Sequence, residues 1–203
     1  MVAERYQRAG ALEGLARVSL GLLRITVAAS LVALSLVLFM FKFPYPPAPF
    51  LKFDGMGIPL AVLALYSTRL SVYVLPIVFV GLHLLGADFV GASMKLAAEA
   101  STFLAVALVY RRCATPRVAP AIRDTLPVVA GVVSRVVVMT LLNYVVTPHW
   151  MVLAYGMSFE RAYTLTVSLL PHVAAFNAIA ASYVGVLSVA AFRVVSKAIG
   201  PLG

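Results

Sequence analysis

The sequence predicts an all-α, polytopic membrane protein built from six transmembrane helices in one bundle. Three observations carry this. Of its 203 residues, 63% are hydrophobic and only 11% are charged, whereas a soluble domain has about 45–50% and about 25%. The mean hydropathy is +1.01. Uncharged runs long enough to cross a bilayer recur along the chain, and the basic residues gather between them. The length suits one domain. This composition excludes a soluble enzyme and a disordered tail, and the net charge of +9 is too scattered for a nucleic-acid footprint. Cys113 is the only cysteine, so no internal disulfide can form.

The elements follow in order. Residues 25–41 carry no charge, and with a few flanking residues they cross a core about 30 Å thick at about 1.5 Å per residue. Residues 55–68 and 70–87 are uncharged on either side of Arg69, which predicts two short or tilted spans with a turn at 67–71. The fourth span covers 89–110, apolar apart from Lys95 and Glu99, and the fifth covers 125–148, apolar apart from Arg135. Residues 162–192 are uncharged but contain Pro171, and as one helix they would reach roughly 46 Å. The expectation is an external approach segment followed by a sixth span from about His172 to Val195. The chain thus divides into a cytoplasmic amphipathic segment (1–24), a six-helix transmembrane domain (25–197) and a tail (198–203). Continuously apolar blocks argue against a β-barrel, whose strands alternate. The run at 25–41 is longer than a cleaved signal core of about 7–15 residues.

Six spans put both termini on one side. Eleven of the sixteen basic residues fall there: Arg5, Arg8, Arg17, Arg24, Arg69, Arg111, Arg112, Arg117, Arg123, Arg193 and Lys197. The positive-inside rule makes that side cytoplasmic.

Ionisable and amide side chains inside spans are costly and need a partner or a purpose. Lys95, Glu99 and Thr102 follow at i, i+4 and i+7 on one helical face. They are either a local ion pair near the interface or the wall of a polar cavity. Arg135 and Asn143 share nearly one face of the fifth span, with Tyr144 beside Asn143, and Asn177 follows His172 on the sixth. An asparagine amide can read the edge of a heteroaromatic ring, or join helices. Polar faces on three consecutive spans favour a shared, outward-facing pocket. The first outer loop, residues 43–54, holds four prolines with Tyr45, Phe50, Lys52 and Phe53. The prolines impose a stiff, extended path, suited to lidding a planar ligand or to packing on its own helix ends.

Other chemistries lack their signatures. No phosphate-binding G-x-x-x-x-G-K-[ST] loop, H-E-x-x-H or C-x-x-C occurs, and His83, His149 and His172 have no metal-ligand spacing. No internal repeat is visible, which counts against a self-sufficient secondary transporter.

Several blocks carry a family resemblance. Ala33-Leu34-Ser35 through Phe43-Pro44, then Ala48 to Asp54 and Ile58-Pro59, resemble the first span and loop of the riboflavin-specific S component of energy-coupling factor (ECF) transporters. Glu99 to Leu104, Tyr110-Arg111-Arg112, Leu142 to Val146, Tyr155-Gly156-Met157, Leu170-Pro171 and Phe176-Asn177 continue the likeness in order. The resemblance implies a six-helix membrane subunit that captures a vitamin from outside, with Phe50, Lys52, Lys95, Glu99, Thr102, Asn143, Tyr144 and Asn177 around it. It implies no enzymatic activity, metal or cofactor, riboflavin being the cargo. It implies partners: a transmembrane coupling subunit, contacted through Ala29 and Ala33, and two cytoplasmic ATPase subunits. Two positions depart from the family. Ala180 stands where a lysine is usual and Thr102 where an asparagine is usual. The same fold bound to another vitamin, an intramembrane enzyme built on Lys95 and Glu99, and a ligand-free assembly subunit are the alternatives.

Overall fold

The structure is a computed structural model. It describes the backbone of residues 2–115 and 118–199 and the side chains of residues 21–115 and 118–197. Arg5, Arg8, Arg17 and Arg117 of the charge reading therefore have side chains outside the described residues, as does most of the 198–203 tail.

The apolar segments are helical, as the hydropathy requires, but unequal in length. Helix α1 runs from Val2 to Met40 without a break, so the expected N-terminal segment is continuous with the first span. A two-stranded hairpin follows, β1 (Phe43–Tyr45) and β2 (Ala48–Phe53). Next come α2 (Gly57–Tyr66), α3 (Thr68–Tyr73) and α4 (Leu75–Leu84). The long helices α5 (Phe89–Cys113), α6 (Pro120–Tyr155) and α7 (Phe159–Ile199) complete the chain. Four helices, α1, α5, α6 and α7, are long and apolar enough to cross a membrane, and the apolar segments Gly57–Tyr66 and Thr68–Leu84 are shorter. The result is an all-α membrane bundle of six apolar helical segments, the third broken at Val74 between α3 and α4.

Helix α2 explains why the second segment is short. Eight of its ten residues are buried, because it packs against α1, α5 and α7 at the centre of the bundle. A helix apolar all round belongs inside protein. At about 1.5 Å per residue, ten residues give only half a bilayer. Its end is set by Ser67, whose hydroxyl accepts from the Leu70 amide and so caps α3. Asp88 caps α5 in the same way through the Gly91 amide at 2.9 Å. Gly156 closes α6 in the left-handed region at φ 63°, where a residue without Cβ fits at no cost.

One expectation is corrected. Residues 162–192 are not an approach segment and a separate span. Helix α7 is continuous through Pro171, and α6 is likewise continuous through Pro127 and Pro148. A proline costs an intrahelical hydrogen bond, but in membrane helices neighbouring helices and local adjustments offset that cost. Helix α7 is locked along its length by a stripe with helical spacing, Val173, Asn177, Ala180, Ala181, Val184 and Ser188, all buried.

The seams of the bundle depend on small residues. Helix α6 packs along both α5 and α7. At Gly131 of α6, an added Cβ would lie 2.7 Å from Cγ2 of Val106 on α5. Gly131→Ala is therefore expected to destabilise the bundle by about 1–3 kcal/mol through overpacking. The measurement is the midpoint of thermal unfolding in detergent. Gly21→Ala, where nothing lies within 4 Å, should leave that midpoint unchanged or raise it.

Candidate functional site

The hairpin supplies one wall of the site. Its strands pair antiparallel with Phe43 opposite Phe53, Pro44 opposite Lys52 and Tyr45 opposite Ala48. Strand alternation places Phe50, Lys52 and Asp54 on one side and Phe53 on the other. Phe53 stacks on Phe176 of α7 with ring centroids 4.5 Å apart, and Tyr45 lies 5.9 Å from the same ring. The Tyr183 hydroxyl donates to the Asp54 carbonyl oxygen at 2.5 Å. The hairpin is thus anchored on α7 by one face, while its other face looks into a cavity.

That cavity measures about 590 Å³. Phe50, Lys52, Lys95, Asn143 and Asn177 line it, which is where five of the site residues named from sequence are placed. Glu99 and Thr102 lie beneath its floor, 1% and 0% exposed. Tyr144 does not line it. Its hydroxyl shares a hydrogen bond with that of Tyr163 at 2.7 Å on the exposed flank of α6 and α7. Ala29 and Ala33 are exposed on α1, away from the bundle core.

The floor is a chain of four charges. Lys95 Nζ lies 2.8 Å from Asp54 Oδ2 and 2.7 Å from Glu99 Oε1. Glu99 Oε2 accepts from Arg135 Nη1 at 3.2 Å. The same Nη1 donates to Thr102 Oγ1 at 3.3 Å, and Arg135 Nε donates to Asn177 Oδ1 at 3.0 Å. The chain ties the hairpin, α5, α6 and α7 together, and its charges sum to zero. Both sequence readings of Lys95 and Glu99 therefore hold together: they form an i, i+4 pair, and Lys95 also lines the cavity. Gly57 makes room for the chain, since an added Cβ there would collide with Glu99 Oε2.

The two asparagines are held by their own helices. Asn143 Nδ2 donates to the Met139 carbonyl at 2.7 Å, and its Oδ1 accepts from Thr147 at 3.1 Å. Asn177 Nδ2 donates to the Val173 carbonyl at 2.8 Å. Each amide keeps one N–H uncommitted. Arg135 keeps Nη2, which makes no hydrogen bond among the described residues. The remaining walls are soft and aromatic: Phe39, Met94, Met139, Trp150, Met151 and Phe176.

Two residues central to this arrangement were not named as ligand-binding from sequence, although Arg135 was read on the polar face it shares with Asn143. Asp54 closes the proline loop, and Arg135 is the sole charge of its span. A lone buried charge demands a partner, and that was the available signal. The histidines are separate from the site chemistry. His83 Nδ1 lies 2.8 Å from the Ala87 carbonyl oxygen, and His172 sits against Tyr45 beside the hairpin's turn. Among the described residues, no group of three His, Cys, Asp or Glu side chains comes together as a metal site.

No family model and no curated protein matches the chain. Among solved structures it is similar to the S component of a bacterial ECF transporter. The two align with a TM-score of 0.68 at 20% identity, over 87% of this chain and 97% of the other. The chain has the fold of an S component. At this identity the likeness shows the fold alone and leaves the chemistry of the cavity to the chain's own residues.

The charge chain generates a quantitative expectation. Arg135→Met leaves one buried negative charge uncompensated and should destabilise by roughly 3–5 kcal/mol. Arg135→Met with Glu99→Leu removes one charge of each sign and should recover much of that loss. A double-mutant cycle of thermal unfolding in detergent measures the coupling.

Proposed function

We propose that the chain is the substrate-capture subunit of an ECF-type importer and that it takes a flat, hydrogen-bonding vitamin, riboflavin foremost, from the outer face of the membrane. The observation that carries this reading is the cavity beneath the hairpin in an S-component fold. Its volume of about 590 Å³ falls in the range of small-molecule sites, about 300–1,000 Å³. Its apolar and aromatic lining with few polar groups also has the character of such sites.

The geometry supports a division of labour. Phe50, Trp150 and Phe176 offer ring faces to a planar ligand. The free N–H groups of Asn143 and Asn177 and Nη2 of Arg135 point to a ligand edge rich in carbonyl and imine acceptors, as a flavin pyrimidine ring provides. A ligand without those acceptors leaves desolvated donors unpaired, which costs about 1–3 kcal/mol each. The lysine usual at position 180 is absent, and Ala180 is packed in the core at 2% exposure. Arg135 brings a cation to Asn177 from the neighbouring helix instead. The departure at Ala180 also keeps a second reading in play, the same fold with a different vitamin as cargo.

The rest of the reading concerns direction and drive. The positive-inside rule applied to Arg24, Arg69, Arg111, Arg112, Arg123, Arg193 and Lys197 supports cytoplasmic termini and an outer hairpin. The chain has no enzymatic role in this reading, and two cytoplasmic ATPase subunits act through a transmembrane coupling subunit. Exposed Ala29 and Ala33, four residues apart on α1, let a partner helix approach closely where lipid supplies no hydrophobic drive.

Detergent-purified protein that carries riboflavin is yellow and fluorescent, so its absorbance spectrum is the first measurement. In a riboflavin titration, Asn177→Ala and Trp150→Ala are each expected to weaken binding by about tenfold or more. Tyr144→Phe should bind as the parent does. A colourless protein with no saturable riboflavin binding removes the flavin assignment.

A further inference from the structure

The mouth of the cavity is more basic than its floor. In the floor, Lys95 and Arg135 are matched by Asp54 and Glu99. At the mouth, Lys42 and Lys52 are exposed and line the cavity, and neither makes an ion pair among the described residues. Lys42 directly precedes β1, and Lys52 sits on β2 opposite Pro44, so both cations belong to the hairpin's mouth. The acid at the mouth is Asp88, and its carboxylate is engaged as the cap of α5 through the Gly91 amide. Lys42 Nζ lies 3.6 Å from the centroid of the Phe39 ring, so that ring holds it over the cavity wall. Partial burial lowers the Lys42 pKa, Asp54 opposes that shift, and Lys52 and Lys95 add to it. The lysines therefore feel one another, as cations gathered around one opening must.

We propose that the ligand captured in this cavity carries an anionic group, a carboxylate or a phosphate, which Lys42 and Lys52 hold at the mouth while the neutral part of the molecule fills the aromatic interior. This rests on the capture reading and refines its cargo: among flavins it selects the 5′-phosphate over riboflavin itself, which is neutral. The donor excess deeper in the cavity acts in the same direction. The spare N–H groups of Asn143, Asn177 and Arg135 all favour acceptor atoms. Two unpaired lysines beside an opening also raise the local concentration of anions and speed their capture.

The test is a matched-pair titration of the detergent-purified full chain by calorimetry. The pairs are riboflavin 5′-phosphate with riboflavin, biotin with its amide, and nicotinate with nicotinamide. At low ionic strength, the anionic member of whichever pair binds should bind about tenfold tighter or more. Added salt should narrow that difference. Lys42→Gln with Lys52→Gln should erase it. Both lysines are exposed, so the double variant should unfold at the parent's temperature, and a loss of preference then reports on binding. A neutral member bound as tightly as its anionic counterpart overturns the inference and leaves the capture reading standing. A preference that survives in the double variant overturns it as well. No saturable binding by any pair overturns the capture reading and this inference together.

Discussion

The buried chain Asp54–Lys95–Glu99–Arg135 is the constraint on which the rest of the structure depends. Four charges so little exposed, Lys95 the most at 18%, are tolerable only because they alternate in sign and touch at 2.7–3.2 Å. Each ion alone would carry a desolvation penalty of several kcal/mol. The chain forces its carriers into register. Asp54 draws in the end of the hairpin, α5 presents Lys95 and Glu99 one turn apart, and α6 must rotate Arg135 inward. Even α2 answers to it, because only a glycine at position 57 leaves space for the Glu99 carboxylate. A core of apolar side chains of equal volume could be as stable. It would specify neither the rotation of α6 nor the depth of the hairpin so tightly.

The cavity is a consequence of that registration. Arg135 reaches from α6 to Asn177 on α7 and Thr102 on α5, so the three long helices are held by polar contacts at one level. Methionine and aromatic side chains line the cavity. The hairpin closes the gap as a part-fixed roof. The contacts of Phe53 and Tyr45 with Phe176 and the bond from Tyr183 hold it on α7. Phe50 remains 58% exposed and lines the cavity.

Much of the architecture was legible in the residues. Uncharged runs became helices because backbone groups in lipid must be satisfied within the segment. The proline loop became an extended element because proline allows little else. The i, i+4 spacing of Lys95 and Glu99 gave their pair directly. Pro171 misled, because a break read from one proline ignores the buried residues that flank it, Ala162 and Thr166 before it and the stripe from Val173 to Ser188 after it. Tyr144 misled for a related reason. It is adjacent to Asn143 in sequence, but a step of one residue turns about 100° on a helix and carries its hydroxyl to Tyr163 on the outer flank.

Sequence by itself determined that this chain belongs in a membrane, which segments are helical, and which polar residues demand an explanation. Those are local properties, set by hydrophobicity, spacing and the cost of an isolated charge in lipid. Tertiary structure alone decided which charges meet between elements. The partner of Arg135 lies 36 residues away on α5 and the partner of Lys95 lies 41 residues away beside the hairpin. No periodicity within a helix encodes the rotation that brings them together. Tertiary structure also decided that Lys42 and Lys52 share one opening, because that depends on how the hairpin docks on α7 and not on the order of the residues within it.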